Sequence, residues 1–338
     1  VKKIGANAFR YCASLKEIEL PTAVEELGEE AFYRCGALTS VTLSDNIGNI
    51  SPYCFAYCIS LTGIKLPGSV INIEENAFFN CRALRSVVFE GSINRVGEYA
   101  FGYCESLMKI DISVKELETG AFCGCASLKS VYIGPELAYM GLGILQGCDS
   151  LSEVVIPRMD RSIGLTAPSY FGYLFGAEDS TQNPQYVPES VESVTVYAQV
   201  VISDRAFENC GYIKSIVIGN DCNKIGINVF KGCDSLESLS VPFVGERRVE
   251  SSSYGLEYFF SVVPQTLRTV KITGECFLVS DVFDGCDGIE ELTLPYAGSA
   301  PDMPKPLRYF YDPETPVLRT VTILGGREIA DGCFEGFY

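Results

Sequence analysis

The sequence predicts a solenoid of stacked repeats, with short parallel strands on one side of each turn and tight turns or brief helical segments opposite. Three observations predict this fold. One phrase recurs with a constant period, each copy changes from helical spacing to alternation, and no single copy can bury its apolar side chains alone. A fixed period of roughly 20 to 50 residues is typical of stacked repeats that share one core.

The recurring phrase is clearest between Ile4 and Leu107. Phenylalanines recur there at the constant 23-residue interval that separates Phe9 from Phe32, and each is followed three places later by cysteine and six places later by leucine. The recurring residues are Phe9, Phe32, Phe55, Phe78 and Phe101, with Cys12, Cys35, Cys58, Cys81 and Cys104, and with Leu15, Leu38, Leu61, Leu84 and Leu107. Five copies in register exclude a chance pattern.

Each copy contains two spacing patterns. Phe9, Cys12 and Leu15 lie on one side of a short helical turn, whereas Ile18 and Leu20 alternate as in a strand. Pro21 then ends the strand, because proline cannot donate to a ladder. Another apolar residue stands five places before each phenylalanine and is expected to face inward on the return leg: Ile4, Leu27, Ile50, Ile73 and Val96.

The alternation predicts thirteen strands, each with two outward residues around an inward one. The predicted outward pairs are Glu17/Glu19, Ser40/Thr42, Gly63/Lys65, Ser86/Val88, Lys109/Asp111, Ser130/Tyr132, Glu153/Val155, Ser193/Thr195, Ser215/Val217, Ser238/Ser240, Thr269/Lys271, Glu291/Thr293 and Thr320/Thr322. These pairs are expected to line one open sheet.

The register is regular over residues 1–160 and mixed over residues 161–338, and we interpret the whole chain as one solenoid. The phrase breaks between Ser162 and Ser190, where the polar segment 177–188 predicts a loop on the turn side. Two later units, at residues 258–264 and 309–313, have a longer Tyr-x-Phe form without the repeat cysteine.

The phrase Ile-Gly-x-x-Ala-Phe-x-x-Cys-x-x-Leu-x-x-Ile-x-Leu-Pro of residues 4–21 resembles the repeat of the BspA-like leucine-rich repeat family. That family is found on surface proteins of oral and gut bacteria and of some parasitic protists. The resemblance implies a right-handed leucine-rich repeat coil with its strands on the concave face. It also implies a bacterial protein that is secreted or displayed on the cell surface and acts in adhesion or interaction.

Net charge and hydrophobicity exclude some classes of binding partner. The formal net charge of −17, from 26 basic and 43 acidic residues, argues against nucleic acid and anionic membranes, which bind basic surfaces. The sequence contains no apolar run as long as a membrane helix needs, so no membrane insertion is expected. It starts in mid-repeat at Val1 and stops after Cys333 before the next strand, so we expect a piece of a longer protein whose signal and anchor lie elsewhere.

One residue type that many catalytic and metal sites use is missing. The sequence has no histidine, which removes histidine-activated nucleophiles and histidine-ligated metals. No cofactor or metal is therefore expected, and we predict that the chain is not an enzyme. Ten of the fifteen cysteines share one repeat position, which predicts free thiols in a buried column, since neighbouring rungs are farther apart than a disulfide permits.

The candidate binding surface is the open sheet. On the earlier strands we select Lys65, Lys109 and Tyr132, and on the later strands a group of hydroxyl side chains: Ser193, Thr195, Ser215, Ser238 and Ser240. A row of tyrosines stands just before the repeat cysteines and is either partly packed or a contact stripe for a protein or glycan: Tyr11, Tyr33, Tyr57 and Tyr103.

Two functions fit this pattern. The first is a non-catalytic surface module that binds a protein or glycan on host or neighbouring cells. The alternative is a structural or recognition arm of a larger surface enzyme whose catalytic domain lies outside these residues. The full-length gene product distinguishes them, because a distant hydrolase domain favours the arm and a wall anchor with nothing else favours the adhesin.

Overall fold

A computed structural model describes residues 1–159, 169–248, 254–280, 282–311, 317–326, 329 and 331–335. The chain divides into two compact units, Val1–Ala167 with Gly172–Glu178, and Pro168–Phe171 with Asp179–Tyr338. Each unit is built from stacked turns that carry short parallel strands, which confirms the predicted solenoid. The interpretation of residues 1–338 as a single solenoid stays a prediction.

The strands predicted from alternation, which we call front strands, are all present among the described residues. In the first unit they are Glu17–Glu19, Ser40–Thr42, Gly63–Leu66, Ser86–Phe89, Lys109–Ile112, Ser130–Ile133 and Glu153–Ile156. Pairing is parallel and in the repeat register, as in Ile110 opposite Val131. The central inward residue of each strand is more buried than the outward residues beside it, because alternate side chains of a strand point to opposite faces.

A second set, which we call back strands, forms a ladder that the sequence did not predict. In the first unit these are Lys3–Ile4, Glu26–Leu27, Asn49–Ile50, Asn72–Ile73, Ile93–Val96, Val114–Leu117 and Tyr139–Met140. Each ends on the inward residue of the return leg, such as Ile50, which pairs in parallel with Ile73. Only two residues pair in most of them, so the sequence has too little alternation to reveal a strand.

The second unit has the same two strand types. Its front strands are Ser193–Val196, Ser215–Ile218, Ser238–Val241, Thr269–Ile272, Glu291–Leu294 and Thr320–Ile323, its back strands Val201–Ile202 and Lys224–Ile225, and its antiparallel pair Gly298–Ala300 and Met303–Pro304. The short helices of the chain are the 3-10 segments Phe171–Phe175, Ser180–Gln182 and Leu307–Tyr309 and the α-helices Asn183–Tyr186 and Glu257–Phe260.

The repeat phenylalanines form the core of the first unit. Phe9, Phe32, Phe55, Phe78 and Phe101 stack with centroid distances of 5.0, 5.2, 5.3 and 5.1 Å and interplanar angles of at most 8°. All except Phe9, which is half-buried, are fully buried. The predicted core column is confirmed, and its ring spacing follows from the distance between neighbouring strands.

The repeat cysteines are free and, with one exception, buried. In most turns the thiol donates to the carbonyl oxygen of the phenylalanine one turn earlier, as in Cys81 to Phe55 at 3.1 Å and Cys233 to Phe207 at 3.3 Å. The exception is Cys12, which lies in the first repeat of the sequence and is exposed. The prediction of a buried thiol was therefore wrong at Cys12 and confirmed in the other repeats.

The polar segment 177–188 is more ordered than the loop that the sequence predicted. Asp179 caps the 3-10 segment by accepting a hydrogen bond from the Thr181 amide at 2.8 Å. Asn183 is fully buried and donates to the carbonyl oxygens of Ala206 and Glu208, both at 3.2 Å. These contacts fix the segment on the turn of Phe207, a long-range contact that local composition cannot reveal.

Candidate interaction surface

The candidate residues of the first unit lie on three front strands and are exposed. Lys65 Nζ pairs with Glu90 at 2.7 Å, and Lys109 Nζ pairs with Asp111 at 3.3 Å. Tyr132 lies opposite Asp111 in the strand register and is 40% exposed. The structure thus joins Lys109, Asp111 and Tyr132 in one cluster, while Lys65 lies two front strands before it.

The candidate residues of the second unit form two rows across its first three front strands. Ser193, Ser215 and Ser238 stand opposite one another, and Thr269 continues this row. Thr195, Val217 and Ser240 form the parallel row. Neighbouring side chains are about 4.8 Å apart in such a ladder. The strand register therefore brings the predicted hydroxyl groups together on one surface. In the second row, Val217 separates the hydroxyl groups of Thr195 and Ser240.

No outward residue of the described front strands is buried. The outward residues of the first three front strands in the second unit are half-buried, since hydroxyl side chains lie close to the backbone. The apolar outward side chain of Val88 is exposed at 52%, whereas those of Val155 and Val217 are half-buried. The described part of the chain therefore leaves these outward side chains accessible to a partner.

The turn side of the first unit carries a second continuous surface. Tyr11, Tyr33, Tyr57, Phe79 and Tyr103 contact one another edge to face, with centroid distances of 5.9, 5.5, 5.7 and 5.4 Å. We call these five residues the aromatic ladder. Tyr11 and Tyr103 are exposed at 55% and 45%, and the other three are half-buried, so the tyrosine row is both packed and accessible.

Two arginines stack on this ladder. The Arg10 guanidinium lies 5.0 Å from the Tyr11 ring centroid and pairs with Glu30 at 2.9 Å. Arg34 lies 4.9 Å from the Tyr57 centroid and 5.6 Å from that of Tyr33. A hydrogen bond with Tyr33 raises the pKa of Arg34. The sequence contained a signal for Arg34, because it occupies the repeat position of Tyr11, Tyr57 and Tyr103.

The turns that carry the aromatic ladder have an uncommon backbone conformation. Residues two places before and two places after each phenylalanine have positive φ, for example 54° at Tyr53 and 62° at Tyr57. This conformation directs their amides along the stack, as in Tyr57 N to Phe79 O at 2.7 Å. Glycine occupies these positions at Gly120 and Gly124, where an added Cβ would meet the rings of Tyr99 and Tyr103.

The charged groups and thiols that could take part in chemistry make structural contacts instead. Arg95 binds Glu118 through two hydrogen bonds of 2.8 Å and also pairs with Glu74. Burial raises the pKa of the Cys35 thiol to about 11 and that of Cys81 well above its usual value, so these thiols are poor nucleophiles. The described residues contain no group of three or more potential metal ligands.

The helices that the structure describes are all too short or too polar to span a membrane. A family model for the BspA type of leucine-rich repeat region, in six copies, matches residues 1–108, 48–171 and 200–299. These matches cover more than half of the sequence. The chain belongs to the BspA-type leucine-rich repeat family. Such repeats commonly serve as interaction modules, generally mediate protein–protein binding and are generally non-catalytic.

Solved structures of low sequence identity resemble the BspA-type chain. A leucine-rich repeat protein from Bacteroides ovatus is 22% identical over 95% of this chain and 87% of its own, with a TM-score of 0.41. A leucine-rich cell surface protein from Faecalibacterium prausnitzii is 23% identical over 100% and 86%, with a TM-score of 0.44.

A third solved structure, TLR13 in complex with ssRNA13, is 14% identical over 86% of this chain and 45% of its own, with a TM-score of 0.51. The likeness to TLR13 is one of fold alone. No protein of curated function matches the sequence.

Proposed function

We propose that this chain is a non-catalytic interaction module, secreted or displayed on a bacterial surface, that binds a protein or glycan of host or neighbouring cells. The observation that supports it is the in-register front face, with accessible hydroxyl rows in the second unit and the Lys109, Asp111 and Tyr132 cluster in the first. Family membership supports an interaction role, since such repeats commonly serve as interaction modules.

The binding mechanism we propose uses rigidity. Residues of the front face are held by backbone ladders, so binding avoids much of the ordering cost that a flexible loop would incur. Lys65 and Lys109 already have acidic partners, so we expect the hydroxyl groups and Tyr132 to contribute more affinity than net charge. Binding through the front face is therefore expected to depend only weakly on salt concentration.

The experiment is a screen of the purified chain against arrays of extracellular matrix proteins and glycans. A variant with Ser193→Ala, Ser215→Ala and Ser238→Ala removes three hydroxyl groups without adding bulk. We expect it to weaken binding by at least about 10-fold, since three lost hydrogen bonds of about 0.5 kcal/mol or more each add up to roughly 1.5 kcal/mol or more. A second variant, Tyr132→Ser, tests the cluster in the first unit.

The matched control is Lys115→Gln, an exposed residue of a back strand, compared with Lys109→Gln. Both changes remove one positive charge, but only Lys109 lies on the front face. Loss of binding in the serine variant or Tyr132→Ser, with full binding by Lys115→Gln, would support the proposal. Unchanged binding by the serine variant, Tyr132→Ser and Lys109→Gln would show that the front face is not the binding surface.

A further inference from the structure

The rings of the aromatic ladder come from two different positions of the repeat. Tyr11, Tyr57 and Tyr103 stand two places after the repeat phenylalanine, whereas Tyr33 and Phe79 stand one place after it. Each turn thus contributes one ring, and the ring alternates between the two positions from turn to turn. This alternation produces the edge-to-face contacts, with interplanar angles between 65° and 88°.

The tyrosines are held against the preference of the backbone. Tyr11, Tyr57 and Tyr103 have φ values of 62°, 62° and 58°, a conformation that side chains other than glycine and asparagine seldom adopt. Glycine serves at the equivalent positions Gly124 and Gly147 of the same unit. Strained positions of this kind often coincide with functional surfaces. Glycine would relieve the strain but would also remove the ring, so the ring is the feature that tyrosine adds.

Charge indicates what the ladder binds. Arg34 is exposed and stacked on tyrosine rings, yet it makes no ion pair with the described residues, in a chain with 43 acidic side chains. Its neighbour Arg10 has Glu30 as a partner. A planar guanidinium that lacks a carboxylate can bind one through two parallel hydrogen bonds.

The geometry favours a peptide over a sugar. Arg10 and Arg34 lie over the rings of Tyr11, Tyr33 and Tyr57, so a pyranose ring that stacks on those faces would have to displace a guanidinium. Tyr11 and Tyr103 remain exposed, and tyrosine and arginine are among the side chains that are enriched where proteins bind one another. We propose that the aromatic ladder with Arg34 is a second interaction surface, which binds an extended protein segment with apolar side chains and one carboxylate.

The test uses synthetic ten-residue peptides of alternating apolar residues with one central glutamate, each beside the same peptide with glutamine. The native chain should bind a subset of glutamate peptides at least 10-fold more tightly than their glutamine counterparts. Arg34→Gln should abolish that preference. Arg85→Gln is the matched control, because Arg85 is exposed immediately before a front strand and the change removes the same charge. This variant should keep the preference.

A second variant protects the test against misfolding. Tyr11→Gly removes an exposed ring at a φ of 62°, so the melting temperature should stay the same or rise while peptide binding weakens at least threefold. The serine variant of the front face should bind the peptides normally, which separates this proposal from the proposed function. The proposal is overturned if no glutamate peptide is preferred, if Arg34→Gln retains the preference, or if only sulfated glycans bind through Arg34.

Discussion

The regular turns of the first unit and the varied turns of the second bury their aromatic rings in different geometries. Between Phe9 and Phe101 the rings are nearly parallel. In the second unit Phe207 and Phe230 are tilted by 42°, Phe230 and Phe259 by 73°, and Phe283 and Tyr311 by 81°. Repeat length alone does not set the ring orientation, because Phe207 and Phe230 are separated by the same interval as Phe9 and Phe32.

This difference shows which property the fold requires. Phe230 and Phe259 are as fully buried as Phe32 and Phe55, although their ring planes differ. Both stacked and edge-to-face pairs are favourable for aromatic rings. The core therefore depends on burial in every turn, and parallel stacking of the rings is not required for it.

Alkaline pH is expected to have the largest effect on both regions. Burial raises the pKa of eight described thiols in the first unit and of six in the second: Cys35, Cys54, Cys58, Cys81, Cys104, Cys123, Cys125 and Cys148, then Cys210, Cys222, Cys233, Cys276, Cys286 and Cys333. The stability from these neutral thiols is complete below pH 9, their unfolded pKa, and is lost as pH rises.

For Cys35 and Cys222 the loss extends from pH 9 to their folded pKa of about 11. Each such thiol lowers the free energy of unfolding by about 1.4 kcal/mol per pH unit in this range. Urea unfolding at pH 8, 9 and 10 measures the slope, and regional hydrogen exchange compares the units. Cys81→Ala should reduce the slope of the free energy of unfolding against pH by the contribution of one thiol. An unchanged slope would show that other groups cause the loss of stability at alkaline pH.

Removing one ring is the next largest change. Phe55→Ala should lower the free energy of unfolding by about 3 to 5 kcal/mol, because it leaves a cavity between Phe32 and Phe78. Phe230→Ala should fall in the same range despite its tilted neighbours. Chemical denaturation measures both. A loss below about 1 kcal/mol at Phe230 alone would show that burial in the second unit contributes less than its structure indicates.

The sequence predicted the front strands and the core correctly because both follow from local periodicity. Alternation around Ile110 or Val194 places each inward residue, and the constant repeat interval places each ring. The back strands were missed because a pair such as Asn49–Ile50 contains no alternation to detect. Arg34 was missed for another reason: its role depends on rings from three different turns, which meet only in the folded chain.

The insertion in the second unit was the least predictable region. Its polar composition indicated a loop, but Asn183 is buried by contacts with residues more than twenty positions away. Asn183→Ala should lower the free energy of unfolding by about 1 to 3 kcal/mol, since two buried carbonyl groups would lose their donor. Chemical denaturation measures this cost, and Gln185→Ala, an exposed neighbour, should change it by less than about 0.5 kcal/mol. Equal effects would contradict the packed structure of the segment.

The smallest effect is expected on the front face of the first unit, where the inside and outside of one strand can be compared directly. Thr42→Ala should change the free energy of unfolding by no more than about 0.5 kcal/mol, because Thr42 is exposed on the open sheet. Val41→Ala, one residue earlier and buried, should cost about 1 to 3 kcal/mol, because burial of its side chain contributes roughly 1.5 to 3 kcal/mol. Comparable losses from the two would contradict the strand register, since a shift of one residue would exchange their positions.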